Sequence, residues 1–287
     1  MNFQESTLKI AVTGATGFIG RHVLAELAPH NIKIIAVVRP GQKDLPVLIN
    51  GEWVTIDICY PPTNVYEAMG TPDVLIHLAW HGLPNYLSLH HFETELPLQY
   101  TFLKQMVLQG LKTFVVAGTC FEYGMQSGQL IEEMVTKPNN PYGFAKDILR
   151  RQLEYLKKDR PFSLAWARLF YTYGAGQAES SLFSQLKSAV ERGDKVFNMS
   201  GGEQLRDYLP VAEIAKHLVS FALSGEDIGV VNTCSGIPIS VRKLVENWIE
   251  KYDWEINLNL DYYPYPDYEP MAFWGDRRKL DRIMVTK

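Results

Sequence analysis

Short apolar runs recur along the first two thirds of this chain, each followed by a turn or a stretch with helical periodicity. KIAVT (Lys9–Thr13) opens the series; GATGFIG and an apolar-periodic segment over 21–27 follow it. The run returns as KIIAVV (Lys33–Val38), at 53–56 (WVTI, ending at Asp57), at 74–78 (VLIHL), at 113–117 (TFVVA) and at Ser163–Leu169. Helical stretches lie between most of these runs. Strands alternating with helices predict a parallel, doubly wound α/β sheet. Residues 181–192 read as a further amphipathic helix beyond it.

Composition narrows the class. A chain of 287 residues is long enough for one large α/β unit with a smaller partner domain. It is 46% hydrophobic and 21% charged with a net charge of -4, and it has no basic stripe, which argues against nucleic acid as a partner. No apolar run approaches the roughly 18 residues of a membrane span. The N-terminal MNFQESTLKIAV has no charged-then-apolar leader. Cys59, Cys120 and Cys234 are odd in number and far apart, with neither a metal-ligand spacing nor a disulfide framework. These features predict a cytoplasmic protein without a metal centre.

Candidate chemistry begins at the first turn. Gly14, Gly17 and Gly20 stand in a GxxGxxG spacing between a strand and a helix. Gly14 can take a turn conformation closed to other residues. Gly17 lets backbone approach a pyrophosphate, and Gly20 lets the helix lie close to the strand. Phosphates would then meet free N–H groups at the positive helix end. Arg39, at the end of the second strand, stands where an acidic residue would select NAD; its guanidinium suits a 2′-phosphate, so NADPH is the expected cofactor and NAD the alternative.

The second cluster lies mid-chain. The fifth strand runs into AGTCFEYG, which puts the hydroxyl of Thr119 at the C-terminal edge of the sheet. In PYGFAK, Tyr142 and Lys146 are one helical turn apart and share a face. Reducing a ketone requires a hydride on carbon and a proton on oxygen. A tyrosine near an ammonium can supply that proton, because the cation lowers a phenol pKa that is normally about 10. Lys146 would also reach the nicotinamide ribose, and Thr119 would hold the substrate oxygen.

KIAVTGATGFIG, VLIHLA, AGTCFEYG, PYGFAK, RLFYTYGAGQ and GGEQLRDYLPV, in this order, resemble the extended short-chain dehydrogenase/reductase family of nucleotide-sugar epimerases, dehydratases and reductases. The resemblance runs from Lys9 to about Gly236. It implies a Rossmann domain at 8–170 and 207–234, and a smaller C-terminal α/β substrate-binding lobe at 171–206 and 235–287. It implies Thr119, Tyr142 and Lys146 as the catalytic triad. Gly14, Gly17, Phe18, Ile19 and Gly20 would line the cofactor, with Asp57 near the adenine and Leu78 and Ala79 also on the cofactor. Arg206 matches the family arginine for the substrate pyrophosphate; the other reading is a structural ion pair with Asp207. His81, in the loop after the fourth strand, either contacts the hexose or is merely polar surface. A homodimer is implied through the helix carrying Tyr142 and Lys146 and the helix at 96–108, although the latter equally suits ordinary core packing.

Departures from the family pattern bear on the reaction. Dehydratases carry an Asp-Glu pair directly after the catalytic Thr; this chain has Cys120 and Phe121. Tyr171 stands where related epimerases have a sugar-holding Asn, Glu95 replaces another Asn, and Pro266 stands about where a second pyrophosphate arginine is expected. The aromatic stretch 262–268 (YYPYPDY) either stacks on a base or packs as a surface loop. The expected activity is NADPH-dependent reduction of an NDP-4-keto-6-deoxyhexose. A nucleotide-sugar 4-epimerase, a reductase of a non-sugar carbonyl and a non-catalytic NADPH-binding protein are the alternatives.

Overall fold

The computed structural model describes residues 7–285. In chain order, the first half contains β1 (Lys9–Thr13), α1 (Phe18–Leu27), β2 (Lys33–Val38), β3 (Gly51–Thr55), α2 (Val65–Ala68), β4 (Val74–His77), α3 (Leu96–Gln109), β5 (Thr113–Thr119), β6 (Gly128–Leu130) and α4 (Pro141–Asp159). The second half contains β7 (Ser163–Leu169), β8 (Tyr171–Tyr173), α5 (Leu182–Glu191), β9 (Val196–Asn198), β10 (Leu205–Pro210), α6 (Val211–Ser224), β11 (Gly229–Thr233), β12 (Pro238–Ser240), α7 (Val241–Tyr252), β13 (Asn257–Asn259), β14 (Phe273–Gly275) and α8 (Arg278–Val285). A π turn (His91–Glu95) precedes α3, and a 3-10 turn (Cys120–Tyr123) follows β5.

Seven parallel strands form the main sheet in the order β11-β7-β5-β4-β1-β2-β3. The order reverses between β1 and β4, which opens a crevice at their C-terminal ends where ligands of such sheets bind. Both faces are covered, which explains why its strands read as continuous apolar runs rather than as alternation. Ile10 and Val12 point into a core with Val23 and Leu24 of α1 and Ile214 and Leu218 of α6. Ala11 and Leu75 point into the opposite core with Phe102 and Met106 of α3 and Leu149 and Leu153 of α4.

The smaller lobe gathers α5 and α7 around Leu186, Phe197, Leu244 and Trp248. β8, β10 and β12 form its three-stranded sheet. Asp207 to Pro210 belong to β10 of the small sheet, and α6, which starts at Val211, packs against the main sheet. After Pro210 the chain forms α6, and β11 then completes the sheet edge. β14 pairs with β6, tying the end of the chain back beside the turn that follows β5.

Candidate active site

The glycine turn is shaped by backbone proximity. Gly14 has φ +68°, and a Cβ there would lie 2.8 Å from the Ala79 nitrogen and 2.9 Å from the Leu78 carbonyl carbon. The turn after β1 therefore presses on the chain leaving β4, and the structure brings together two segments expected at one cofactor. At Gly20 a Cβ would lie 2.1 Å from the Gly14 oxygen, so α1 can start against the turn only without a side chain there. Gly17 is the helix N-cap and supplies no side-chain cap to the first helical N–H groups, which begin with Phe18 and Ile19. An uncapped helix start facing a cleft is an anion cradle. Arg39 lies just past β2 and is exposed, and Asp57 lies past β3, accepting a hydrogen bond from the Cys59 backbone N–H at 2.9 Å. These residues fit a dinucleotide.

Thr119, Tyr142 and Lys146 converge at the end of β5. Asn140 caps α4 through Gly143 N–H at 2.8 Å, and Pro141 occupies the first turn. Tyr142 and Lys146 thus face inward from the first two turns. A Cβ on Gly143 would lie 2.6 Å from the Phe121 carbonyl oxygen, so α4 approaches the loop after β5 backbone to backbone. That loop is anchored by Glu122, a residue the sequence reading passed over. Its buried carboxylate accepts from Thr119 N–H at 2.9 Å, the Trp166 indole at 2.8 Å and Arg168 Nε at 2.7 Å. Thr119 Oγ accepts in return from Phe121 N–H at 3.3 Å. The T-x-x-E spacing is a capping-box signature, a signal that was available in the sequence.

Lys146 is buried and donates to the Ala117 carbonyl at 2.9 Å, with its Nζ 3.9 Å from the centre of the Trp80 ring. Burial draws its pKa down to about 7, with Glu122 and Glu95 opposing the shift. Tyr142 is enclosed by Trp80, Tyr86, His91 and Phe121. Its pKa moves up rather than down: burial dominates, Tyr86 and Glu122 add to it, and the Thr119 hydroxyl hydrogen bond pulls only weakly the other way. The expected lowering by Lys146 is therefore corrected. Its Nζ stands 5.9 Å from the Tyr142 ring centre, and that ammonium is itself destabilised by burial. Trp80 is held by its indole N–H, which donates to His91 Nδ1 at 3.1 Å; this leaves His91 Nε2 to donate to the Asn85 carbonyl at 2.8 Å.

Arg206 and Tyr171 meet each other across a third residue, Glu269. Arg206 is buried and pairs with the Glu269 carboxylate at 2.8 Å, and the Tyr171 hydroxyl donates to the other carboxylate oxygen. The ion pair with Asp207 does not form: Asp207 instead accepts from Ser235 and Gly236 backbone N–H groups at 2.7 and 2.9 Å. Glu269 has no sequence signature, because it lies far along the chain in an irregular loop. Phe121 joins the two clusters, with ring centres 6.4 Å from both Tyr142 and Tyr171. Cys120 is buried and burial pushes its thiol pKa up, which fits a small packing residue rather than an acid or base. His81 turns away from this group toward Glu95, at 3.5 Å. Tyr262, Tyr263 and Tyr265 are all exposed, as a surface loop would have them. No helix among the described residues is long and apolar enough to cross a membrane.

A doubly wound sheet with a glycine cradle at its switch point and a Thr-Tyr-Lys cluster beside it defines a class of dinucleotide-dependent oxidoreductases. The chain belongs to the NAD dependent epimerase/dehydratase family, whose profile matches residues 10–233, and it is an NAD(P)-dependent oxidoreductase of the extended short-chain type. It is 30% identical over 270 residues to a dTDP-6-deoxy-L-talose 4-dehydrogenase (NAD(+)) of Aggregatibacter actinomycetemcomitans, spanning 93% of this chain and 99% of that one. It is 25% identical over 257 residues to a GDP-6-deoxy-D-mannose reductase of Pseudomonas aeruginosa, covering 84% of this chain and 79% of that one. Among solved structures, MoeE5 in complex with UDP-glucuronic acid and NAD superposes with a TM-score of 0.82 at 25% identity, over 96% of this chain and 92% of that one.

Proposed function

We propose that this protein interconverts the C4 ketone and alcohol of a nucleotide-linked 6-deoxyhexose, with net reduction of an NDP-4-keto-6-deoxyhexose as its working direction. One observation carries the reading: among the described residues, Tyr142 is the acid/base group that hydrogen-bonds the Thr119 hydroxyl. Cys120 and Phe121 occupy the places of a dehydratase acid pair, and the nearby carboxylate of Glu122 is committed to three donors. One proton mover suffices for ketone reduction and does not suffice for dehydration. The relatives named as 6-deoxytalose dehydrogenase and 6-deoxymannose reductase support the same C4 chemistry.

Bound NAD(P)H supplies the hydride. Thr119 orients the C4 oxygen, Tyr142 gives it a proton, and Lys146 provides positive charge as that proton leaves. Burial favours the neutral phenol, which is the form reduction consumes. Gly14, Gly17, Phe18, Ile19 and Gly20 would cradle the dinucleotide phosphates, with Asp57 near the adenine and Leu78 and Ala79 also on the cofactor. Arg206 would take the sugar-nucleotide pyrophosphate and Tyr171 the sugar side of the cleft. Arg39 favours NADPH, whereas the dehydrogenase relative is named as an NAD(+) enzyme. We also propose a homodimer through α3 and α4, where Leu108, Phe144 and Tyr155 remain exposed.

The test is absorbance-monitored NADPH and NADH oxidation with dTDP-, GDP- and CDP-4-keto-6-deoxyhexoses. Stoichiometric oxidation with one of them is expected. Tyr142→Phe should lower turnover by about 100-fold or more with cofactor binding retained. A sugar altered at C4 without net oxidation would instead identify an epimerase, and no change with any substrate would overturn the substrate class.

A further inference from the structure

Three side chains that are distant in sequence meet behind the loop after β4. Cys59 follows β3, His81 follows β4, and Glu95 closes the π turn that leads into α3. One ligand atom from each lies within 4.8 Å of both others. Glu95 is only 1% exposed, yet no lysine or arginine among the described residues pairs with it. Its Oε2 is held by His81 N–H at 3.1 Å and by Gln99 Nε2 at 2.9 Å. Its Oε1 is turned toward His81 Nδ1 and His90 Nε2, each at 3.5 Å. The π turn has i to i+5 spacing, which brings His90 and Glu95 to the same side; such turns recur at functional sites. A buried carboxylate needs a counter-charge; the ligand groups nearest it are a thiol and two imidazoles, and the Lys146 amine, which feels its charge, is itself drawn toward neutrality by burial.

We propose that Cys59, His81 and Glu95 bind a single divalent ion of the zinc class, with His90 as the fourth ligand. Sulfur and nitrogen donors exclude the hard ions magnesium and calcium, which take oxygen. Ligand atoms around tetrahedral zinc lie about 3–4 Å apart, so modest side-chain rotations on two loops complete the sphere. Gln99 and the His81 N–H already orient the carboxylate from behind, as outer partners of metal ligands do. Binding releases the thiol proton to solvent and leaves a thiolate on the metal. The ion would tie the end of β3, the loop carrying Trp80 and the start of α3 into one wall. None of Thr119, Tyr142 and Lys146 is a ligand, although the charge of Glu95 bears on Lys146.

The test uses the full chain free of affinity tag, stripped with a chelator and titrated with Zn²⁺ against a chromophoric competitor. One zinc per chain is expected. Co²⁺ in its place should give a thiolate-to-metal charge-transfer band. Cys59→Ser should abolish that band and weaken zinc by at least about tenfold, whereas Cys234→Ser should keep both. Glu95→Gln and His81→Ala should each weaken zinc as well, which guards against a single misfolded variant; circular dichroism establishes folding for each. Substoichiometric zinc, or zinc bound equally by Cys59→Ser and Glu95→Gln, would overturn the site.

Discussion

Lys146 is a polar group kept at an energetic disadvantage. Its amine is buried against Trp80 with the Ala117 carbonyl as acceptor, and its pKa falls to about 7. The unfolded chain holds this proton up to about pH 10.4, whereas the folded chain sheds it near 7. Between those values the unfolded state binds more protons, so this group's penalty is complete below pH 7 and fades as pH rises. Lys146→Met should therefore stabilise the free protein at pH 7 by about 1–4 kcal/mol while abolishing turnover. Urea unfolding at about pH 7 and about pH 9.5 should show the gain shrinking at the higher pH; an equal gain at both would mean the amine is charged throughout. Arg39 is the opposite case, an exposed cation with no hydrogen bond or ion pair among the described residues. Arg39→Ala should weaken NADPH by about tenfold, the effect of one lost charge-assisted contact, and leave NADH unchanged. An unaltered NADPH/NADH ratio in the variant would make NAD the native cofactor.

At the scale of elements, the site depends on α4 starting where it does. Pro141 and the Asn140 cap fix its first turn, and Gly143 lets it meet the Phe121 carbonyl. The turn after β5 is fixed in turn by Glu122, whose contacts reach into β7 through Trp166 and Arg168. Gly143→Ala brings better helix propensity, worth about 1 kcal/mol. The added methyl nevertheless strikes backbone, which costs about 1–3 kcal/mol. Thermal melting should show a stability change near zero or unfavourable. Turnover should fall about tenfold or more, because Tyr142 is pushed off Thr119. Wild-type turnover with a raised melting temperature would show that the turn gives way freely.

Across the whole molecule, the smaller lobe is drawn together where Glu269, from the loop before β14, joins Arg206 of β10 to Tyr171 of β8. An anionic substrate reaching Arg206 meets a carboxylate already there. Glu269→Gln should therefore bind a nucleoside diphosphate about 3- to 10-fold more tightly, the effect of about 1 kcal/mol of competition removed. The unliganded variant should also melt at a lower temperature, since a buried arginine then lacks its anion. Calorimetric titration decides it: unchanged or weaker diphosphate binding would mean that Glu269 and the substrate occupy Arg206 together.

The order of strands and helices and the positions of Gly14, Thr119, Tyr142 and Lys146 were legible in the chain alone. Each depends on neighbours close in sequence: a strand before a glycine turn, a cap before a helix, two residues one turn apart. β1, β2 and β7 fall where the apolar runs predict them. Even Glu122 had a local signature, in its capping box with Thr119. The tertiary structure decided the rest. The partner of Arg206, the inward turn of Glu95 toward Cys59 and His81, and the upward shift of the Tyr142 pKa depend on groups from separate loops meeting in a place water cannot reach. A local pattern carries no record of who arrives from elsewhere in the chain. Burial sets both the sign of a pKa shift and the need for a counter-charge, and burial is a property of the folded whole.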